Sequence, residues 1–294
     1  MTTVGFIGLG SMGMPMARNL LAKGFDVRGF DVRAESRAML EQAGGIPAPS
    51  AATAAEADLL VLMVVNAAQA ESVLFADGAL EALPLGGIVV LMATCSPGAV
   101  EALAERVEKA GRRFVDAPVS GGVVGATAGT LTIMAAAPIA VFEAARPALA
   151  ALGDKVFHVG ERPGQGAMVK TVNQLLCGVH IAVVAEAFAL AAKVGVDLKI
   201  LLEIMGGSSA SSWMLKDRGP RMLQAEPEVT SAVDIFVKDL GIVLEAGRGT
   251  KAALPLAAVA HQMFLATSGR GDGAADDSQV IRTYHTMNGT DRPR

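Results

Sequence analysis

Short apolar runs alternate with amphipathic stretches through the first half of the chain, and the alternation stops near residue 160. Residues 2–8 (TTVGFIG) are a β-branched apolar run ending in glycine, the pattern of a buried parallel strand. Residues 12–23 have helical periodicity, and residues 25–31 (FDVRGFD) read as a second strand ending in an acid. Residues 33–43 are helical, and residues 58–65 (DLLVLMVV) and 87–93 (GIVVLMA) are buried strands. A helix over 97–110 carries its proline near the first turn, where a missing N–H is harmless. Residues 112–116 form a further strand, and strands over 130–136 and 155–159 flank a helix over 140–152. Strands and helices alternating at this spacing predict a parallel, doubly wound sheet.

The second half reads differently. Residues 164–196 run for about thirty positions without proline, apolar on every side beyond the first third. The pattern predicts a buried helix acting as a spine between two domains. Residues 175–192 are apolar enough to resemble a membrane span. However, His180 and Glu186 lie inside that stretch, and Lys170, Asn173 and Gln174 lie just before it, so a soluble core helix is expected. Further helices are expected over 195–205, 212–222, 232–248 and 255–266, with a short polar tail from about Asn288. The domain boundary falls near residue 162, giving an α/β domain over 1–162 and an all-helical domain over 163–294.

Composition narrows the function. The 294 residues are 52% hydrophobic and 18% charged, enough for two cores. A net charge of −4, the lack of a basic run and an aromatic content of 4% give no footprint for nucleic acid. Cys95 and Cys177 lie far apart, and the four histidines have no ligand spacing, so neither a disulfide framework nor a metal site is expected. The first residues run straight into a strand, which points to a cytoplasmic protein.

The chemistry begins at Gly8-Leu9-Gly10-Ser11-Met12-Gly13. Strand, G-x-G-x-x-G, helix, strand and acid follow in the order that a Rossmann-type dinucleotide site requires. Asp31 lies 18 residues beyond Gly13, close to the usual ~20. Gly8 permits the tight turn, Gly10 lets the pyrophosphate approach, and Gly13 lets helix and strand pack closely. The helix N-terminus offers N–H groups and a positive dipole end to the phosphates. Asp31 should accept hydrogen bonds from a ribose 2′-hydroxyl, favouring NAD, while Arg33 nearby could accommodate a 2′-phosphate. In such sheets ligands bind beyond the carboxyl ends of the strands, which adds Met63 and Val64, Thr94 and residues 116–122 as candidates. In DAPVSGG (116–122), Ser120 offers a hydroxyl, and Gly121 and Gly122 leave N–H groups open to a carboxylate, or the segment is only a loop. Lys238 and Asp239 stand together in an otherwise apolar helix, where a structural ion pair is the plain alternative. Residues 206–212 hold four serines that either cap the next helix or meet substrate hydroxyls.

Five stretches in order carry a resemblance to the β-hydroxyacid dehydrogenase family: GFIGLGSMGMPMARNL, the 94–97 segment, DAPVSGG, GQGAMVKTVNQ and FVKDL. The resemblance spans essentially the whole chain. It implies that Lys170 is the catalytic residue, that Ser120, Gly121, Gly122 and Asn173 hold the substrate, and that Thr94 and Lys238 contact NAD. Gln174 stands where some relatives have a second asparagine, so either Asn173 or Gln174 touches the substrate. The implied reaction is oxidation of a small hydroxy acid, with lysine taking the hydroxyl proton. A free lysine titrates near ~10.4 and must be lowered to act as a base near neutrality. The stretches MVVNAAQAESVLF, LMATCSPGAV, GGSSASSWML and DIFVKDLGIVLEAG resemble members that act on L-threonate, implying oxidation at C2 to a 2-oxo acid. Other members take 3-hydroxyisobutyrate or reduce tartronate semialdehyde. A dinucleotide-binding protein without turnover is the alternative from another class. A homodimer or homotetramer is expected from the apolar helical half.

Overall fold

The computed structural model describes residues 2–290. Its contacts divide the chain into two compact units, residues 1–170 and 171–294.

The first unit is built from β1 (Thr3–Ile7), α1 (Gly13–Ala22), β2 (Asp26–Phe30), α2 (Ala34–Gln42), β3 (Ile46–Pro47), α3 (Ala51–Ala54) and β4 (Leu59–Leu62). It continues through α4 (Ala67–Glu71), α5 (Ala79–Ala82), β5 (Ile88–Leu91), α6 (Pro97–Lys109), β6 (Arg113–Asp116), β7 (Val119–Ser120), α7 (Gly122–Ala128), β8 (Thr132–Ala136), α8 (Ile139–Leu152) and β9 (Lys155–Gly160). The sheet order is β3-β2-β1-β4-β5-β6-β8-β7, with β9 paired to β8. All pairs from β3 to β6 are parallel. Beyond β6 the parallel expectation gives way, because β8 runs antiparallel to both β6 and β7. The helix between β7 and β8 has seven residues, a rise of only about 10 Å, too short for the crossover that a parallel return needs.

Period-two alternation divides the strand side chains between two layers. Val4, Phe6, Val61 and Val90 face Met16, Leu20 and Leu149. Leu60, Leu62, Val89 and Leu91 face Leu74, Leu103 and Val107. Each fully buried side chain of this size contributes roughly 1.5–3 kcal/mol.

The second unit takes most of α9 (Gln165–Lys193), then α10 (Leu198–Gly207), α11 (Trp213–Met222), α12 (Val233–Thr250), α13 (Pro255–Thr267) and α14 (Ile281–Asn288). Helix α9 is unbroken through the division after Lys170. It is long and apolar enough to cross a membrane by length and composition alone. In the fold one face of it is core, with Ile181, Val184, Ala185 and Phe188 packed among Leu215, Phe236, Leu240 and Phe264, whereas Leu176, Val183 and Leu190 are exposed, so the helix is not buried on every side as its composition predicts. The Tyr284 hydroxyl, held above the ordinary tyrosine range at about 12 by burial and by the Glu186 charge, donates to the Glu186 carboxylate. The polar group inside the apolar stretch is thereby satisfied.

The polar tail is expected from about Asn288, which is the last residue of α14. Residues 277–280 form a buried turn, and α14 runs to Asn288 before Gly289 caps it. Residues 291–294 lie outside the described residues. Arg218 donates to both oxygens of the buried Asp277 at 2.7 and 2.8 Å, and Arg221 pairs with Asp276 at 3.2 Å.

Candidate active site

Every candidate in the first unit follows the carboxyl end of a strand or sits on the start of α9. The Gly8 backbone takes φ +96°, and a Cβ there would lie 2.3 Å from the Met63 carbonyl, so the loop after β1 rests on the segment after β4. A Cβ on Gly13 would fall 1.8 Å from the Gly8 carbonyl, which is the close helix–strand approach the motif serves. At Gly10 the nearest atom to an added Cβ is the Arg33 guanidinium at 3.6 Å, leaving the backbone open to a pyrophosphate. Helix α1 has no acidic side chain in its first turn, so its N-terminus keeps its positive end. Leu9 is buried, Ser11 is exposed, and Met12 is half-buried at the N-cap.

Asp31 ties this loop to the end of β2. Its Oδ2 accepts the Leu9 N–H at 2.8 Å, and its Oδ1 accepts the Arg33 N–H at 2.9 Å and Nε–H at 3.0 Å. Burial pushes this carboxyl up, but the hydrogen bonds from Arg33 and Leu9 outweigh it and hold the group below the ordinary range. Arg33 Nη2–H also donates to Oδ2 at 3.3 Å, which fills the roughly four acceptor directions of an ionised carboxylate, so a ribose hydroxyl would take the place of this long Arg33 bond. These features fit a dinucleotide. Met63 and Val64 are half-buried, each packed against a different core layer, and Thr94 follows β5 half-buried.

The segment after β6 is more than a loop. Ser120, in β7, pairs with Thr132 of β8, while Gly121 and Gly122 open α7 at φ +130° and +60°. An added Cβ on Gly122 would meet nothing within 4 Å, so its glycine answers to backbone shape and leaves an accessible face.

Helix α9 starts against this segment. The Asp116 Oδ2 accepts the Gly164 and Ala167 N–H groups, both at 2.9 Å. A side chain on Gly166 would collide with the Met134 carbonyl at 2.4 Å and the Asp116 carbonyl at 2.8 Å. Burial pushes the Asp116 carboxyl up to about 6, against the pull of the N–H groups of Ala167, Gly164 and Gly166. Lys170 lies three residues beyond Ala167 on the same helix and is 7% exposed.

Within the second unit, Asn173 Nδ2 donates to Gln174 Oε1 at 2.8 Å, and Gln174 Nε2 donates to Asp239 Oδ2. Lys238 Nζ stands 2.8 Å from Asp239 Oδ1, so the charged pair in α12 is an ion pair that also carries the Gln174 amide. The buried Gln174 is thus engaged at both ends of its amide, and Asn173 is the less buried of the two. Of the serines, Ser212 caps α11 by accepting the Leu215 N–H at 3.0 Å, and Ser208 donates to the Met205 carbonyl at 3.2 Å. Both make local helix-end bonds, the plainer of the two readings. Among the described residues no three His, Cys, Asp or Glu side chains gather as a metal site would need.

Sequence reasoning passed over two residues. Asp116 opens the DAPVSGG stretch, yet its partners lie 48 and 51 residues away, and only the position of an acid at a buried strand's end hinted at them. Asp239 was weighed only as a partner for Lys238, and its bond to Gln174 spans 65 residues.

Residues 3–160 match the family described as the NAD binding domain of 6-phosphogluconate dehydrogenase. Residues 164–284 match the NAD-binding domain of NADP-dependent 3-hydroxyisobutyrate dehydrogenase. L-threonate dehydrogenase of Cupriavidus necator is 45% identical over 283 residues, covering 96% of this chain and 95% of that one. Its counterpart in Escherichia coli is 39% identical, covering 96% and 94%. The crystal structure of 3-hydroxyisobutyrate dehydrogenase from Salmonella typhimurium superposes with a TM-score of 0.92 at 39% identity, covering 96% and 99%. The glycine fingerprint and these likenesses agree, and the chain belongs to the β-hydroxyacid dehydrogenase family of NAD-dependent oxidoreductases.

Proposed function

We propose that the chain oxidises L-threonate at C2 to its 2-oxo acid with NAD, and that Lys170 is the general acid/base. The observation that carries this reading is a buried lysine one helical turn from an N-terminus fixed to the DAPVSGG segment. Relatives at 45% and 39% identity named L-threonate dehydrogenase support the choice of acid.

In this reading Gly8, Leu9, Gly10, Ser11, Met12 and Gly13 hold the pyrophosphate, and Asp31 takes the adenosine ribose. Met63, Val64, Thr94 and Lys238 line the cofactor. NAD, when bound, accepts the hydride leaving the substrate carbon. Ser120 and the Gly121 and Gly122 N–H groups hold the substrate carboxylate. Asn173 contacts the substrate, and Gln174 holds the Asn173 amide through its own bond to Asp239. Lys170 removes the hydroxyl proton as the carbonyl forms and returns it in the reverse direction. Residues 1–162 serve as the dinucleotide domain and 163–294 as the substrate and assembly domain.

The protein works in the cytoplasm as a homodimer or homotetramer. Support for assembly comes from the second unit, where Val183, Leu190, Val194, Ile200 and Ile204 are all more than half exposed. So many exposed apolar side chains on α9, on α10 and at the turn between them favour a subunit interface.

The Salmonella structure is named for another acid at the same identity as the second relative, so substrate choice needs direct comparison. The test is kcat/KM with NAD for L-threonate, 3-hydroxyisobutyrate and glycerate. L-threonate should exceed the other two by at least ~10-fold, because unpaired hydroxyls and polar groups in a buried site cost about 1–3 kcal/mol each. Faster turnover of 3-hydroxyisobutyrate would sink the sugar-acid reading. Binding of NAD without turnover of any acid would favour a non-catalytic protein.

A further inference from the structure

Helix α9 begins at Gln165. The residue before it is Gly164, which has no side-chain oxygen to accept the orphan N–H groups of a first turn. The acceptor comes instead from Asp116, at the last residue of β6. We propose that Asp116 is a positioning residue for Lys170, fixing the depth and rotation of α9 against the sheet edge that also carries Ser120, Gly121 and Gly122. The inference rests on the reading of Lys170 as the acid/base.

Three observations carry it. A single oxygen, Oδ2, takes both the Gly164 and the Ala167 N–H at 2.9 Å, so it grips two successive levels of the helix start. Gly166 presses the same turn onto the Asp116 and Met134 carbonyls, with no room for a methyl group. Asp116 pairs with Ala136 where the sheet changes from parallel to antiparallel, so the anchor sits on backbone held from both sides. Lys170 follows Gly166 by four residues and Ala167 by three, which places it on the anchored face one turn along. Any rotation or lift of the helix start therefore moves the lysine relative to the DAPVSGG segment. Misplacement by 1 Å is enough to cost on the order of 10²-fold in rate.

A carboxylate is also well matched to a helix N-terminus by charge. The pairing needs an acceptor of the right reach, so an asparagine oxygen can replace Oδ2, whereas alanine offers nothing.

The experiment is a kinetic cycle on the full-length enzyme with NAD and L-threonate, with Asp116→Ala, Asp116→Asn, Lys170→Ala and the Asp116→Ala/Lys170→Ala double variant. Asp116→Ala should lower kcat by about 10- to 100-fold while the Kd for NAD stays within about two-fold. Asp116→Asn should recover most of that loss. In the Lys170→Ala background, Asp116→Ala should cost less than about two-fold more, since both act through one group. A double variant slowed by the product of the two single losses overturns the proposal, as does an asparagine variant as slow as alanine. Should Asp116→Ala fail to fold, Gly166→Ala decides: it must lower kcat with NAD binding kept, and wild-type kcat in that variant overturns the proposal. Wild-type turnover by Lys170→Ala removes the acid/base reading and this inference with it. A slow Lys170→Ala beside a fast Asp116→Ala removes the inference alone.

Discussion

Two carboxylates at strand ends set the electrostatics of the first unit, and they do so in opposite directions. Asp31 is held ionised by Arg33 and Leu9, which suits a group that must accept hydroxyl hydrogens and repel a phosphate. The expected outcome is kcat/KM with NAD at least ~10-fold above that with NADP, narrowed by Asp31→Asn. Equal values in the wild type would mean that Arg33 turns from Asp31 to the 2′-phosphate and decides the preference. Asp116, in contrast, is raised by burial from 3.8 to about 6. Between those values the folded chain holds a proton that the unfolded chain has released, so this group's contribution is full below pH 4 and lost as pH rises through 6. The difference is about 3 kcal/mol, from roughly two pH units at 1.36 kcal/mol each. Denaturation of wild type and Asp116→Asn from pH 4 to 7 should show the wild type losing stability relative to asparagine as pH rises. A constant difference would show that the buried carboxyl titrates normally. Asp31 was readable from its distance to the glycines, whereas Asp116 was not, because its partners are distant in sequence.

At the scale of elements, legibility follows length and apolar period. The strands β1, β4 and β5 were readable as short continuous apolar runs, α6 and α8 by their helical period, and α9 by its length without proline. The helices α3, α4, α5 and α7 have four to seven residues, too few for a 3.6-residue period to declare itself. Residues 276–279 failed for another reason: Asp276, Asp277, Ser278 and Gln279 are all buried, although such polar runs normally face water. Arg218 and Arg221 make that burial possible, and no local pattern announces a partner 59 residues away. Replacing Arg218 with leucine leaves Asp277 buried and uncompensated, so stability in urea should fall by about 3–5 kcal/mol. A loss below ~1 kcal/mol would mean that the segment is held by its apolar neighbours Val280 and Ile281 instead.

For the whole molecule, two signals converge. The glycine fingerprint and its acid identify the dinucleotide side, and the GQGAMVKTVNQ stretch supplies a buried lysine. The glycines of that stretch have a physical account: Gly164 takes φ +92°, and Gly166 allows α9 to meet the sheet edge. The acid that is oxidised was less legible, since the serines that could have recognised extra hydroxyls include two that close helix ends. The central claim is that Lys170 moves the proton. The most direct measurement is the rate of NAD reduction by L-threonate in wild type and Lys170→Ala at saturating substrate, with NAD affinity measured in parallel. Loss of at least ~10²-fold in kcat with the Kd for NAD unchanged is the predicted result. Turnover within a few-fold of wild type would contradict it.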